Sequence, residues 1–132
     1  MHSEAQSILI TGGAGFIGSC AVRYLIERTN YKVIVLDALT YASNLSNLGS
    51  VCGNSRYKFI EGDICSEATV TNIFDQFMPD FIMNFAAETH VDRSIEDSNN
   101  FIRTNILGTA NLLDCSVRHY KKFHAIKKKE KN

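Results

Sequence analysis

Four glycines, Gly12, Gly13, Gly15 and Gly18, follow the apolar run Ser7-Ile8-Leu9-Ile10. They precede a stretch with apolar residues at helical spacing, Ala21, Val22, Leu25 and Ile26. Glycines there let the backbone turn sharply and let a phosphate approach a helix N-terminus, where free N–H groups and the helix dipole favour an anion. A strand, a glycine turn and a helix form the context in which the GxGxxG spacing of GAGFIG, overlapping GGAGFIG, signals dinucleotide binding. Glycines used only for tight packing are the alternative, and two carboxylates count against it.

Asp37 stands 19 residues after Gly18, at the end of a second apolar run, Lys32 to Leu36. A carboxylate in that place accepts hydrogen bonds from adenosine ribose hydroxyls. A 2′-phosphate would meet its charge at a cost on the order of 1 to 4 kcal/mol for an effective dielectric near 20. With no Arg in Ala38 to Gly49 to compensate, NAD is preferred to NADP. Asp63 and Ile64 end a third run and suit the adenine amino group and ring; capping a turn is the alternative role for Asp63. No GK[ST] follows the glycines, so a P-loop is excluded. His90, Asp92 and Arg93, within four residues of one another, could suggest acid–base chemistry, but none of the three is assigned a proton transfer.

These residues need a parallel sheet to position them. Short apolar runs alternate with amphipathic stretches, the pattern of a βαβ series. Strands are expected at Ser7 to Ile10, Lys32 to Leu36, Arg56 to Ile60 and Phe81 to Phe85. Helices are expected at Ser19 to Arg28, after an N-cap at Ser66, and from about Asn99 to Tyr120. Right-handed crossovers give an α/β, Rossmann-like, doubly wound parallel sheet of order 3-2-1-4, truncated after strand 4 and the helix that follows. Its ligand crevice lies at the carboxyl ends of the strands, where the winding reverses. Residues 1–120 are assigned to this domain and 121–132 to a basic tail or linker.

Hydrophobic content of 45% with 21% charged residues excludes a disordered chain. The formal net charge of +0 hides an asymmetry: His119 to Asn132 holds six Lys and one Glu, so residues 1–118 carry −5. An acidic body speaks against a nucleic-acid platform. No run approaches a membrane span, no signal peptide is visible, and four scattered cysteines without CxxC pairing point to reduced thiols and a cytoplasmic location.

GGAGFIG, LDALTYASNLSNL (Leu36 to Leu48), GDIC (Gly62 to Cys65) and AAETHVDRSI (Ala86 to Ile95) together resemble the dTDP-glucose 4,6-dehydratases, members of the extended short-chain dehydrogenase/reductases. The likeness runs from about Ser7 to Ile126, and related epimerases, decarboxylases and dehydratases share parts of it. It implies that Gly12, Gly15, Phe16, Ile17 and Gly18 meet the NAD pyrophosphate. It implies that Asp37, Ala38, Leu39 and Thr40 line the adenosine ribose, with Ala38 replacing the family's usual Lys, and that Asp63 and Ile64 hold adenine. Phe85, Ala86, Ala87, Glu88 and Thr89 then run under the cofactor, Thr104 adds a contact, and Thr89 and His90 face the substrate. Asn105 resembles a structural Asn of the superfamily.

The implied reaction removes water from dTDP-glucose to give a 4-keto-6-deoxy sugar nucleotide. Hydride leaves sugar carbon 4 for NAD, water is eliminated across carbons 5 and 6, and hydride returns to carbon 6. A UDP-sugar epimerase or decarboxylase, and a non-catalytic dinucleotide-binding module, are the alternatives. The family's Thr-Asp-Glu segment and YxxxK pair are not found, and Tyr120 is followed four residues on by His124. The chain is therefore expected to be the N-terminal portion of a longer, homodimeric protein and inactive alone. No residue in it is assigned to catalysis and none to a metal. Strand 4 and the long helix are expected to leave apolar surfaces prone to self-association.

Overall fold

The computed structural model describes residues 5–87 and 98–131. Four parallel strands, β1 (Ser7–Thr11), β2 (Lys32–Asp37), β3 (Tyr57–Glu61) and β4 (Phe81–Asn84), form one sheet of order β3-β2-β1-β4. The pairing Thr11↔Leu36 and Thr11↔Asn84, with Asp37↔Glu61, brings the carboxyl ends level along one edge. The expected order is met. All five residues of β1 are buried, as suits a central strand covered on both faces.

Side chains alternate between the two faces with the period of two that a strand imposes. Ile8, Ile10, Val33 and Val35 pack beneath α1 (Phe16–Arg28) together with Val22, Ile26, Leu48 and Val51. Leu9, Ile34 and Leu36 face the opposite way, against Val70, Ile73 and Phe74 of α2 (Glu67–Phe77) and Leu112 and Cys115 of the last helix. Arg56 ties β3 to the end of α1: its guanidinium donates to the Ile26, Thr29 and Tyr31 carbonyls at 2.6–2.9 Å. Ser66 caps α2, its hydroxyl accepting from the Thr69 amide at 3.3 Å, which is the expected N-cap.

Several boundaries differ from expectation, β1, β2 and β3 each running one residue further, to Thr11, Asp37 and Glu61. Helix α1 begins at Phe16 rather than Ser19, so Gly18 belongs to its first turn; the turn itself is completed by Gly15, whose amide donates to the Gly12 carbonyl at 3.2 Å. Strand β4 ends at Asn84, although the Phe85 amide still donates to the Thr11 carbonyl at 2.9 Å.

The final helix runs on past Tyr120. It comprises α3 (Ser98–Ile102), a π-helical segment Arg103–Gly108 and α4 (Thr109–Glu130). Its C-terminal half is held along α2 by Arg118–Glu67 at 2.8 Å and Lys122–Asp75 at 3.3 Å, and by the His119 ring against Phe74. Lysines also suit the negative end of a helix dipole. Phe81 and Met83 on β4, and Ile106, Leu107, Leu113, Val117 and Tyr120 on the last helix, are exposed. Among the described residues no helix is long and apolar enough to cross a membrane.

Candidate functional site

A crevice of about 300 Å³ opens at the carboxyl edge of the sheet, where β1 feeds α1 on one face and β4 leads to the helices of the other. The glycine turn forms its floor. Gly12 has φ +66°, and a Cβ there would meet the Phe85 and Ala86 backbone at 2.5 Å. A Cβ on Gly18 would stand 2.1 Å from the Gly12 carbonyl oxygen. The turn therefore packs backbone on backbone, and Gly15 at the N-cap leaves the start of α1 without a side-chain cap. The amides of Phe16, Ile17 and Gly18 have no acceptor within the helix. Phe16 is 90% and Ile17 66% exposed, so this end of the helix is open to an anion.

Asp37, at the end of β2, is only 4% exposed. One carboxylate oxygen accepts from the Ala14 amide at 2.9 Å and the other from the Leu39 amide at 2.8 Å. A carboxylate offers about four acceptor positions, so each oxygen keeps capacity toward the crevice that Asp37 lines. Leu39 adopts φ 53° and turns its side chain into the core beneath α1. It does not line the crevice, whereas its neighbours Ala38 and Thr40 do.

At the far corner, one Asp63 carboxylate oxygen accepts from the Cys65 amide at 2.8 Å while Asp63 and the buried Ile64 face the crevice. Turn capping and crevice lining thus coexist in Asp63. The last helix clamps this corner: Asn111 Nδ2 donates to the Ile64 carbonyl at 2.6 Å, and Cys65 Sγ donates to the Arg103 carbonyl at 3.2 Å. Gly108 lies so near that a Cβ would be 2.5 Å from Ile64 Cδ1. The π-helical segment, a feature frequent at functional sites, carries Thr104 to the rim. Burial first, and then the Asp63 carboxylate, raise the Cys65 thiol above its ordinary range, keeping it neutral.

Gly12, Gly15, Phe16, Ile17, Gly18, Asp37, Ala38, Thr40, Asp63, Ile64, Phe85, Ala86, Ala87 and Thr104 all line the crevice. Glu88, Thr89 and His90, with Asp92 and Arg93, lie outside the described residues. Leu36, Ala42, Ser43, Gly62 and Asn100 also line it and were not singled out from sequence. Leu36, Ala42 and Ser43 stand in the quoted LDALTYASNLSNL segment and Gly62 in GDIC, which were the signals available for them. Among the described residues no group of His, Cys, Asp or Glu could hold a metal ion, and all four cysteines are free thiols.

Sheet order and crevice together define a Rossmann-like, doubly wound α/β unit. The chain belongs to the family described as GDP-mannose 4,6 dehydratase, whose model matches residues 9–129. Over 115 residues it is 54% identical to the dTDP-glucose 4,6-dehydratase of Escherichia coli, covering 87% of this chain and 32% of that one. The solved dTDP-glucose 4,6-dehydratase of Streptomyces venezuelae, with NAD and TYD bound, superposes with a TM-score of 0.81 at 44% identity, covering 86% of this chain and 36% of that one. The UDP-glucose 4-epimerase of Thermotoga maritima gives a TM-score of 0.78 at 37% identity, with 86% and 35% covered. The chain thus spans about a third of the length of the proteins it matches.

Proposed function

We propose that the chain binds NAD across this crevice and supplies the cofactor-holding part of a nucleotide-sugar dehydratase acting on dTDP-glucose. The observation that carries the reading is Asp37, a buried carboxylate with one backbone donor on each oxygen and acceptor capacity left, standing beside a helix N-terminus that has no side-chain cap. Ribose hydroxyls satisfy that remaining capacity. The first-turn amides of Phe16 and Ile17 receive the pyrophosphate, and Asp63 with Ile64 receives the adenine. Phe85, Ala86 and Ala87 form the wall beneath the nicotinamide ribose; Glu88 and Thr89 are assigned to the cofactor, and Thr89 and His90 to the sugar nucleotide. When bound, NAD supplies a hydride acceptor for the sugar.

No residue of the chain is assigned a proton transfer. Substrate choice is supported by the dehydratase relatives, at 54% and 44% identity against 37% for the epimerase. A homodimer of the whole enzyme is part of the same reading, as is the division into residues 1–120 and a basic tail or linker 121–132, of which 121–130 lie on α4.

Calorimetric titration of the chain with NAD and with NADP tests the cofactor assignment. No Lys or Arg lies in Ala38 to Gly49 to offset a 2′-phosphate. NAD is therefore expected to bind about tenfold tighter or more, from the repulsion at Asp37. Equal affinities, or no heat with NAD, would overturn the assignment.

A further inference from the structure

The segment after Asp37 crosses back over the glycine turn and is fastened to it at several points. Gly15 and Ser43 form an isolated antiparallel bridge. The Ala14 carbonyl accepts twice, from the Asn44 amide at 3.0 Å and from Asn47 Nδ2 at 3.0 Å. Asn47 is tethered in turn: its own carbonyl accepts from Arg23 Nη1 at 2.7 Å, and Arg23 lies on α1, the helix whose first turn faces the crevice. Leu48, next in the chain and 1% exposed, anchors the segment in the core. The Ala14 amide is already held by Asp37 at 2.9 Å, so both backbone polar groups of this buried residue are fixed from β2 or from the segment that follows it.

This arrangement closes a ring from Ala14 through Asn47 and Arg23 back along α1 to Gly15. The ring includes the first two turns of α1. Ala42 and Ser43, which line the crevice, are carried on the same segment.

We propose that Asn47, held by Arg23, is a positioning residue that fixes the glycine turn and the start of α1 in the geometry that receives a pyrophosphate. The proposal rests on the NAD reading above. Asn47 does not line the crevice; it acts through the Ala14 carbonyl. A side chain that merely stabilised the short 3₁₀ turn Leu45–Leu48 would affect every ligand of the crevice alike. A positioning residue affects the pyrophosphate-bearing ones selectively, because adenosine is held at Asp37 and at the Asp63–Ile64 corner.

The test compares the native chain, Asn47→Ala and Asn47→Asp, with NAD, ADP-ribose and adenosine as probes. Loss of one neutral hydrogen bond from Asn47→Ala is expected to weaken NAD and ADP-ribose about fivefold and to leave adenosine within about twofold. Asn47→Asp presents an acceptor to the Ala14 carbonyl at pH 7 and a donor once protonated. Its ADP-ribose affinity, relative to native, is expected to recover as pH falls toward the carboxyl range near about 4, and Asn47→Ala shows no such recovery. Undiminished ADP-ribose binding by Asn47→Ala, equal losses for adenosine and ADP-ribose, or a flat relative pH profile for Asn47→Asp would each overturn the proposal. Where Asn47→Ala does not fold, the Asn47→Asp profile decides alone. A native chain that bound neither NAD nor ADP-ribose would overturn the NAD reading itself, and this proposal with it.

Discussion

Gly18→Ala is expected to destabilise the chain by about 3 kcal/mol and to abolish measurable dinucleotide binding. The added methyl would stand 2.1 Å from the Gly12 carbonyl oxygen and 2.9 Å from Gly13 Cα, and those are backbone atoms that no rotamer change can move. Overpacking of this kind costs about 1–3 kcal/mol, and more where the neighbour cannot yield. Relief requires the first turn of α1 to move away from the floor of the crevice, which misaligns the amides of Phe16 and Ile17. Gly53 is the control, because a Cβ there meets nothing within 4 Å. Gly53→Ala should stay within about 0.5 kcal/mol of the native chain. Urea unfolding of the two variants side by side reads the difference; equal midpoints would show that the backbone contact at Gly18 does not constrain the turn.

Asp37→Ala carries the second large effect, because it removes two functions at once. The Ala14 and Leu39 amides lose their acceptors in a place where Asp37 is 4% exposed. Each donor left unpaired costs about 1–3 kcal/mol, so a loss of about 2–6 kcal/mol is expected, toward the lower end because the Leu39 amide is only partly buried. Leu39, at φ 53°, also loses the bond that holds an unfavourable backbone conformation. Asp37→Asn keeps one acceptor oxygen and offers an amide donor on the other side. It should therefore recover part of the stability while still binding NAD about tenfold or more weakly. Thermal melts with and without NAD separate the two functions: a variant as stable as the native chain would contradict the structural part, and an undiminished NAD-induced rise in Tm would contradict the binding part.

Asp37 also shows how far residue patterns carry. Its distance from Gly18 and its place at a strand end were legible, and they led to the crevice. Its bond to Ala14 was not, because that contact exists only after β1 and β2 have paired. The sheet order followed from apolar runs alternating with amphipathic stretches and from the handedness of crossovers. Helix periodicity found the last helix but not its π-helical segment, since one extra residue per turn barely alters a 3.6-residue pattern over six residues.

The reason for Gly108 is tertiary, the approach of Ile64, and local sequence does not encode it. The same holds for the helix beyond Tyr120, where Lys122, one of the lysines suggesting a solvated tail, meets Asp75 of α2 at 3.3 Å. Leu39 was grouped with its ribose-lining neighbours by position in the chain. Its positive φ sends the side chain to the core instead.

The placement of NAD is tested most directly by amide chemical shifts of the ¹⁵N-labelled chain during titration with NAD. Shifts are expected to concentrate on Gly12 to Gly18, Asp37 to Thr40 and Asp63 to Ile64, with adenosine reproducing only the last two groups. Perturbations centred elsewhere, such as the apolar groove between α2 and α4 lined by Met78, Val117 and Phe123, or none at saturating NAD, would contradict a dinucleotide site built on the glycine turn.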